Sequence, residues 1–163
     1  VIAMIEKNFE IIYREFRLRL YKHVFDIIGE KSGSLSATEY FSAEVVYLLG
    51  NPTITEFADY LNISSPNAAY KVKSLESKGY ITKEQTDDRR TFRIRVTDKF
   101  LQYYHDTDSY GTFIMKMLSE RLGPEELEKV DRIFEQFIAQ IDLEKEKERQ
   151  SKKEKEKEAK WSE

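Results

Sequence analysis

Between Thr86 and Val96 the chain reads TDDRRTFRIRV: two aspartates, two arginines, then strict polar/apolar alternation. In an extended segment, residues two apart point the same way, so Asp87 can hold Arg89 and Asp88 can hold Arg90. A free arginine loses roughly 1.5–2 kcal/mol of rotamer entropy on being fixed. A carboxylate clamp moves part of that loss to folding and leaves the guanidinium already aimed. A guanidinium held this way suits the narrow minor groove of a duplex, where the potential is most negative. The plain alternative is a solvated charged turn whose ion pairs contribute about 0–1 kcal/mol. A second group stands upstream, in NISSPNAAYKVKSLESKG (Asn62 to Gly79). There Asn67 can pair bidentately with adenine, and Tyr70 can touch a thymine methyl or a phosphate. Lys73 suits a phosphate, which positions without specifying. Ser65 and Ser74 complete the set. Lys71 and Lys78 are left open between contact and solvated lysine, and the plain reading of every one is an exposed helix residue.

Other chemistries find less support. The sequence has two histidines and no cysteine. No disulfide, thiolate metal site or thiol redox switch can form, and a reducing compartment fits. HDTD at His105 to Asp108 could suggest a metal cluster, but on a helix it offers two neighbours three apart and no third ligand. No phosphate loop, nucleophile elbow or zinc-ligand set is present. The expectation is no enzyme, no metal and no cofactor. No apolar run approaches the roughly 18 residues of a membrane span. The opening VIAMIEKNFE lacks the blocks of a secretory signal, which points to the cytoplasm. The net charge is −3, but it is uneven. Residues 51–95 carry eight Lys and Arg against six Asp and Glu, whereas residues 96–141 carry five against nine. The basic share sits where the candidate contacts lie.

Helical elements must position those groups. Ile5, Phe9, Ile12, Phe16, Leu20, Val24 and Ile27 recur at spacings of three and four, predicting one long helix over Ile5 to Ile28. SATE (Ser36, Glu39) and TITE (Thr53, Glu56) have capping-box spacing and start two more helices. GNP at Gly50 to Pro52 separates them. Ile54, Phe57, Ala58 and Leu61 form an amphipathic face about two turns long. Ser64 or Ser65 caps a fourth helix, with Pro66 in its first turn and Gly79 at its end. Ala68, Val72 and Leu75 share one face of it, and Tyr70, Lys73 and Ser77 the opposite one. YITKE and TFRIRV then form a β-hairpin, with Phe92, Ile94 and Val96 on its apolar side and Arg93 and Arg95 on its wet side. A fifth helix is expected over roughly Asp98 to Leu122. GPEE opens a sixth, whose Leu127, Val130, Phe134, Phe137 and Ile141 make a seam about two heptads long. Beyond Ile141, DLEKEKERQSKKEKEKEAKWSE has no apolar face and predicts a fraying helical extension or a disordered tail.

Two short helices, a tight break, a helix with a polar outer face and then a basic hairpin compose a winged helix-turn-helix. A helix of this diameter fits the major groove, and the hairpin, or wing, can reach the neighbouring minor groove. On these residues the chain resembles the MarR family of bacterial transcription regulators. The resemblance is carried by ITEFADYLNISSPNAAYKVKSLESKGYI (Ile54 to Ile81) and TDDRRTFRIRVT (Thr86 to Thr97). Leu61, Ile63, Ser64, Leu75, Glu76, Gly79, Ile81, Asp87, Arg89 and Thr97 match the family pattern there. Val96 replaces its usual leucine, and Phe100 stands where it often has glycine.

The resemblance implies a mainly α fold with a small β-hairpin: a winged helix-turn-helix flanked by N- and C-terminal dimerisation helices. The expected layout is a dimerisation helix over 1–35, the DNA-binding module over 36–97, dimerisation helices over 98–145 and a charged tail over 146–163. It also implies a homodimer on double-stranded DNA with a pseudo-palindromic operator, Arg89 being the wing arginine. A repressor modulated by a small aromatic or anionic ligand fits that pattern, with Tyr13, Phe16, Tyr40, Phe41, Tyr47, Tyr103 and Tyr104 near the expected cleft. An aromatic stripe is also what a core looks like. The alternative function is a winged-helix module that binds proteins without specific DNA binding, which the charged tail favours.

Overall fold

The computed structural model describes residues 1–30, 35–86, 91–104 and 109–161. In chain order it has α1 (Ile2–Glu30), α2 (Ala37–Leu48), α3 (Ile54–Leu61), α4 (Ser65–Ser77), β1 (Ile81–Gln85), β2 (Phe92–Val96), α5 (Asp98–Tyr104), α6 (Ser109–Arg121) and α7 (Pro124–Trp161). Two units divide it, Val1–Thr112 and Phe113–Glu163, with α6 straddling the division.

The two capping boxes form as the sequence predicts. Ser36 Oγ accepts from the Glu39 amide at 3.2 Å while Glu39 Oε2 accepts from the Ser36 amide at 2.8 Å. Thr53 and Glu56 make the same reciprocal pair at 3.1 and 2.7 Å. Each box satisfies two of the amides that a helix start leaves without intrahelical partners. Asn62 sits in the left-handed region (φ 51°), which turns α3 sharply into α4. Asparagine tolerates that region better than most residues because its short polar side chain can bond locally. α4 stops by a Schellman arrangement. Gly79 has φ +77°, its amide donates to the Glu76 carbonyl at 2.9 Å, and the Tyr80 amide donates to the Leu75 carbonyl at 3.0 Å.

The core of the first unit is assembled from every element around α4. Tyr40, Ala43 and Val46 of α2, Phe57 of α3, Ala68, Val72 and Leu75 of α4, Tyr80, Ile81 and Ile94 of the hairpin, and Phe100 of α5 are all buried. Phe100 packs at 5.6 Å from the Tyr40 ring, so a phenylalanine at this position is part of the core. α1 joins only with its last third: Val24 is buried and Leu20 and Ile28 pack beside it, whereas Ile5, Phe9 and Ile12 remain exposed.

β1 and β2 pair antiparallel, Ile81 opposite Val96 and Gln85 opposite Phe92. The alternation buries Ile94 and Val96, but Phe92 is exposed because it lies at the distal end of the ladder. The hairpin is also stitched to the start of α3, the Ile94 amide donating to the Pro52 carbonyl at 2.9 Å.

α5 and α6 cover the described parts of the expected fifth helix, while 105–108, and therefore HDTD, lie outside the described residues. Of the two forms expected of the charged tail, the structure has the helical one, α7 running on through Trp161 for 38 residues in all. In the second unit Phe134, Phe137 and Ile141 of that helix are exposed.

Candidate nucleic-acid interface

The burial of Ala68, Val72 and Leu75 leaves the opposite side of α4 outward. At about 100° per residue, Tyr70, Lys73 and Ser77 cluster on that side. Tyr70 is 73 % exposed, a large ring open to solvent. Ser65, Asn67 and Lys73 are exposed as well. Ser64, just before α4, adopts the capping conformation with no side-chain hydrogen bond, and Pro66 sits in the first turn. The structure therefore brings Asn67, Tyr70 and Lys73 together on one accessible helix surface, with Ser65 at its N-terminal edge.

Ser74 is a different case. It is half-buried, and its hydroxyl donates to Glu39 Oε1 at 2.8 Å. Lys78, which the sequence left open, donates to both Glu39 oxygens at 2.8 Å. Ser74 and Lys78 are thus turned toward α2, because the Glu39 carboxylate of the capping box stands within reach. Partial burial pushes the Glu39 carboxyl up, but hydrogen bonds from Lys78, the Ser36 amide and Ser74 outweigh it and hold it at about 2. Glu39 is the residue that sequence reasoning missed. Its capping role was legible, but its partners on α4 lie 35 and 39 residues away.

The described part of the wing has its cations engaged. Arg93 Nη1 donates to the Asn51 carbonyl at 2.9 Å and lies 3.8 Å from Glu56. Arg95 lies 3.3 Å from Glu84, and Lys83 donates to Glu76 at 2.7 Å. Lys99 stands 4.3 Å above the Tyr80 ring and donates to the Lys78 carbonyl at 2.7 Å, a cation–π contact that closes the base of the wing. Arg93 and Arg95 thus lie on the exposed side of the hairpin, as expected, and there also brace it against α3 and β1. The expected clamps of Asp87 on Arg89 and Asp88 on Arg90 fall on 87–90, outside the described residues. On either side of them the Thr86 amide donates to the Thr91 carbonyl at 3.1 Å.

The seven aromatic residues expected near a cleft separate. Tyr40 is a core residue, fully buried between Phe41 (5.7 Å) and Phe100 (5.6 Å), because α2 turns that face inward. Phe41 also meets Tyr21 edge-on at 6.4 Å, and Tyr47 packs against Tyr104 at 4.6 Å. Tyr13 and Phe16 are exposed on α1, where Tyr13 stacks on Phe9 at 5.9 Å. Tyr103 lies on α5, its side chain outside the described set. A groove of about 330 Å³ runs along α1, lined by Glu10, Tyr13, Arg14, Arg17, Leu18 and Tyr21. Tyr13 is the one member of the seven that it includes. No helix among the described residues is long and apolar enough to cross a membrane.

Comparison with known proteins agrees with this geometry. The sequence profile described as the MarR family matches residues 35–92. An uncharacterized HTH-type transcriptional regulator of Bacillus subtilis strain 168, YkoM, is 30 % identical over 95 residues, 56 % of this chain and 61 % of that protein. Among solved structures, Streptococcus pneumoniae FabT in complex with DNA is similar with a TM-score of 0.57 at 15 % identity, covering 87 % of this chain and 98 % of that one. Transcriptional regulator Tm0710 of Thermotoga maritima is similar with a TM-score of 0.53 at 22 % identity, covering 82 % and 93 %. At these identities the structural likenesses establish the fold.

Proposed function

We propose that the chain, whose residues 35–92 match the profile of the MarR family, is a sequence-specific DNA-binding transcriptional regulator of that family. In this reading α4 is the recognition helix in the major groove and the wing reaches the adjacent minor groove through Arg89 and Arg90. The observation that carries it is the outward face of α4, where Asn67, Tyr70 and Lys73 stand clear while the opposite side is sealed in the core. The solved FabT complex with DNA supports the same partner.

The protein acts as a homodimer on a pseudo-palindromic operator. Support comes from apolar side chains left uncovered on α1 (Ile5, Phe9, Ile12) and, separately, on α7 (Phe134, Phe137, Ile141). Contiguous exposed apolar surface of this kind marks an interaction site. Two α4 helices reading successive major grooves on one face require half-sites about 10 bp apart, centre to centre. A repressor modulated by a small aromatic or anionic ligand follows the family pattern, with Phe41, Tyr47 and Tyr104 as the candidate lining.

Selection of bound duplexes from a random pool, with purified protein, tests the reading. The expected result is a shared motif of two inverted half-sites. With six to ten phosphate contacts, affinity should fall by roughly 10³–10⁵ between 50 and 200 mM salt. A pool without a common motif, or binding that salt leaves unchanged, would favour a winged helix used only for protein contacts.

A further inference from the structure

We propose that Glu39 is a positioning residue for the recognition helix: it fixes the rotation of α4 about its own axis and so governs discrimination between duplexes without touching them. The inference rests on the DNA-binding reading of α4.

Three observations lead to it. First, the Glu39 carboxylate accepts four hydrogen bonds of 2.8 Å, from the Ser36 amide, the Ser74 hydroxyl and, at both oxygens, Lys78. Glu56 offers a contrast. It caps α3 in the same way, but its further cation, Arg93, lies 3.8 Å away on the hairpin and not on α4. Second, the node is sheltered, with side-chain exposures of 21 % for Glu39 and 35 % for Lys78. Third, Ser74 and Lys78 are four residues apart and so lie on one flank of α4, between its buried stripe and its outward face.

That placement separates two jobs. The apolar contact of Ala68, Val72 and Leu75 holds α4 down, but apolar attraction is non-directional and resists rolling weakly. Hydrogen bonds are directional, and a pair of them on one flank stops the roll. A roll of about 10° moves a side-chain tip at a radius of about 6 Å by about 1 Å. Hydrogen bonds to base edges work within about 2.7–3.2 Å, so a tip displaced that far loses them. Phosphate contacts made by a long lysine follow the displacement. The clamp therefore acts on sequence-specific binding and leaves non-specific binding alone. Lys78, spent on Glu39, makes no phosphate contact.

The test uses the full chain carrying Glu39→Gln, Ser74→Ala, Lys78→Met, or the first two together. Glutamine still serves in a capping box, and Ser74 lies outside the cap, so α2 keeps its start. The probes are a duplex selected from a random pool by the unmodified protein and a shuffled duplex of the same composition. Each of Glu39→Gln and Ser74→Ala should lower the ratio of selected to shuffled affinity about 5- to 10-fold, with shuffled affinity unchanged within about 2-fold. The double variant should be no worse than the worse single one, because both remove one interaction. The salt slope should be unchanged in all four, including Lys78→Met. An unchanged ratio overturns the role of Glu39, and so does a slope lowered by about one in Lys78→Met, which would make Lys78 a phosphate contact. A fall in both affinities that tracks the melting temperature also overturns it, leaving only a structural role. If the unmodified protein selects no duplex, the DNA-binding reading falls first and the role of Glu39 with it.

Discussion

Lys73 on α4 and Lys78, which caps its C-terminal end, stand five residues apart and have different fates. Lys73 is exposed, whereas Lys78 is bonded to both oxygens of Glu39. Charge alone does not separate them. What does is the flank each occupies and the carboxylate one of them meets. Lys73→Ala should therefore weaken binding to every duplex alike and lower the slope of log affinity against log salt by about one, measured by fluorescence anisotropy across a salt series. Arg89→Ala should act differently, weakening duplexes with A/T-rich flanks most, since a narrow minor groove gives its guanidinium the strongest field. A uniform loss across flanks in Arg89→Ala would place that arginine on the backbone.

At the scale of elements, the joint between α2 and α4 carries a charge whose protonation matters. The Glu39 carboxyl is held at about 2, below its unfolded value of 4.5. A depressed carboxyl stabilises the fold fully above the unfolded value and loses that contribution as pH falls toward the folded one. Thermal melts of the unmodified protein and Glu39→Gln should thus differ by about 1–2 kcal/mol near pH 6, allowing for the partial exposure of the pair, and converge only as pH falls through and below about 2. A difference that stays undiminished as pH falls from about 5 to about 2 would assign the stabilisation to something other than the ionised carboxylate. The elements themselves were legible in the sequence to a large degree. Ser36 with Glu39, Thr53 with Glu56, Pro66 and Gly79 are local signals, and local signals survive the absence of coordinates. Ile94 and Val96 likewise announced the buried side of the hairpin by alternation. The misses are all long-range. Nothing near Glu39 names Ser74 and Lys78 as its partners. Nothing near Arg93 shows that its guanidinium folds back onto the Asn51 carbonyl. Tyr40 looked available because an aromatic residue reads the same whether it lines a cleft or fills a core.

At the scale of the whole molecule, apolar surface is left outward in each unit, on α1 in one and on α7 in the other. Phe137, on α7, is 61 % exposed. In the proposed homodimer, Phe137→Glu should shift the species seen by light scattering from dimer to monomer and lower affinity for a selected duplex at least about 10-fold, because two half-sites bound by unlinked modules lose the gain of tethering. An unchanged mass would place the partner surface elsewhere. α7 has a second consequence. Its 38 residues span about 57 Å, and after Leu143 its sequence offers no apolar residue before Ala159 and Trp161. With no apolar stripe in its sequence to bury, that distal stretch rests on helix propensity and on charge pairs worth about 0.2–0.5 kcal/mol each. Such a segment loses helicity by gradual helix–coil exchange, residue by residue, instead of in an all-or-none step. On warming, far-ultraviolet ellipticity should drift steadily upward, more steeply in strong salt, before the hydrophobic body of the protein unfolds at all.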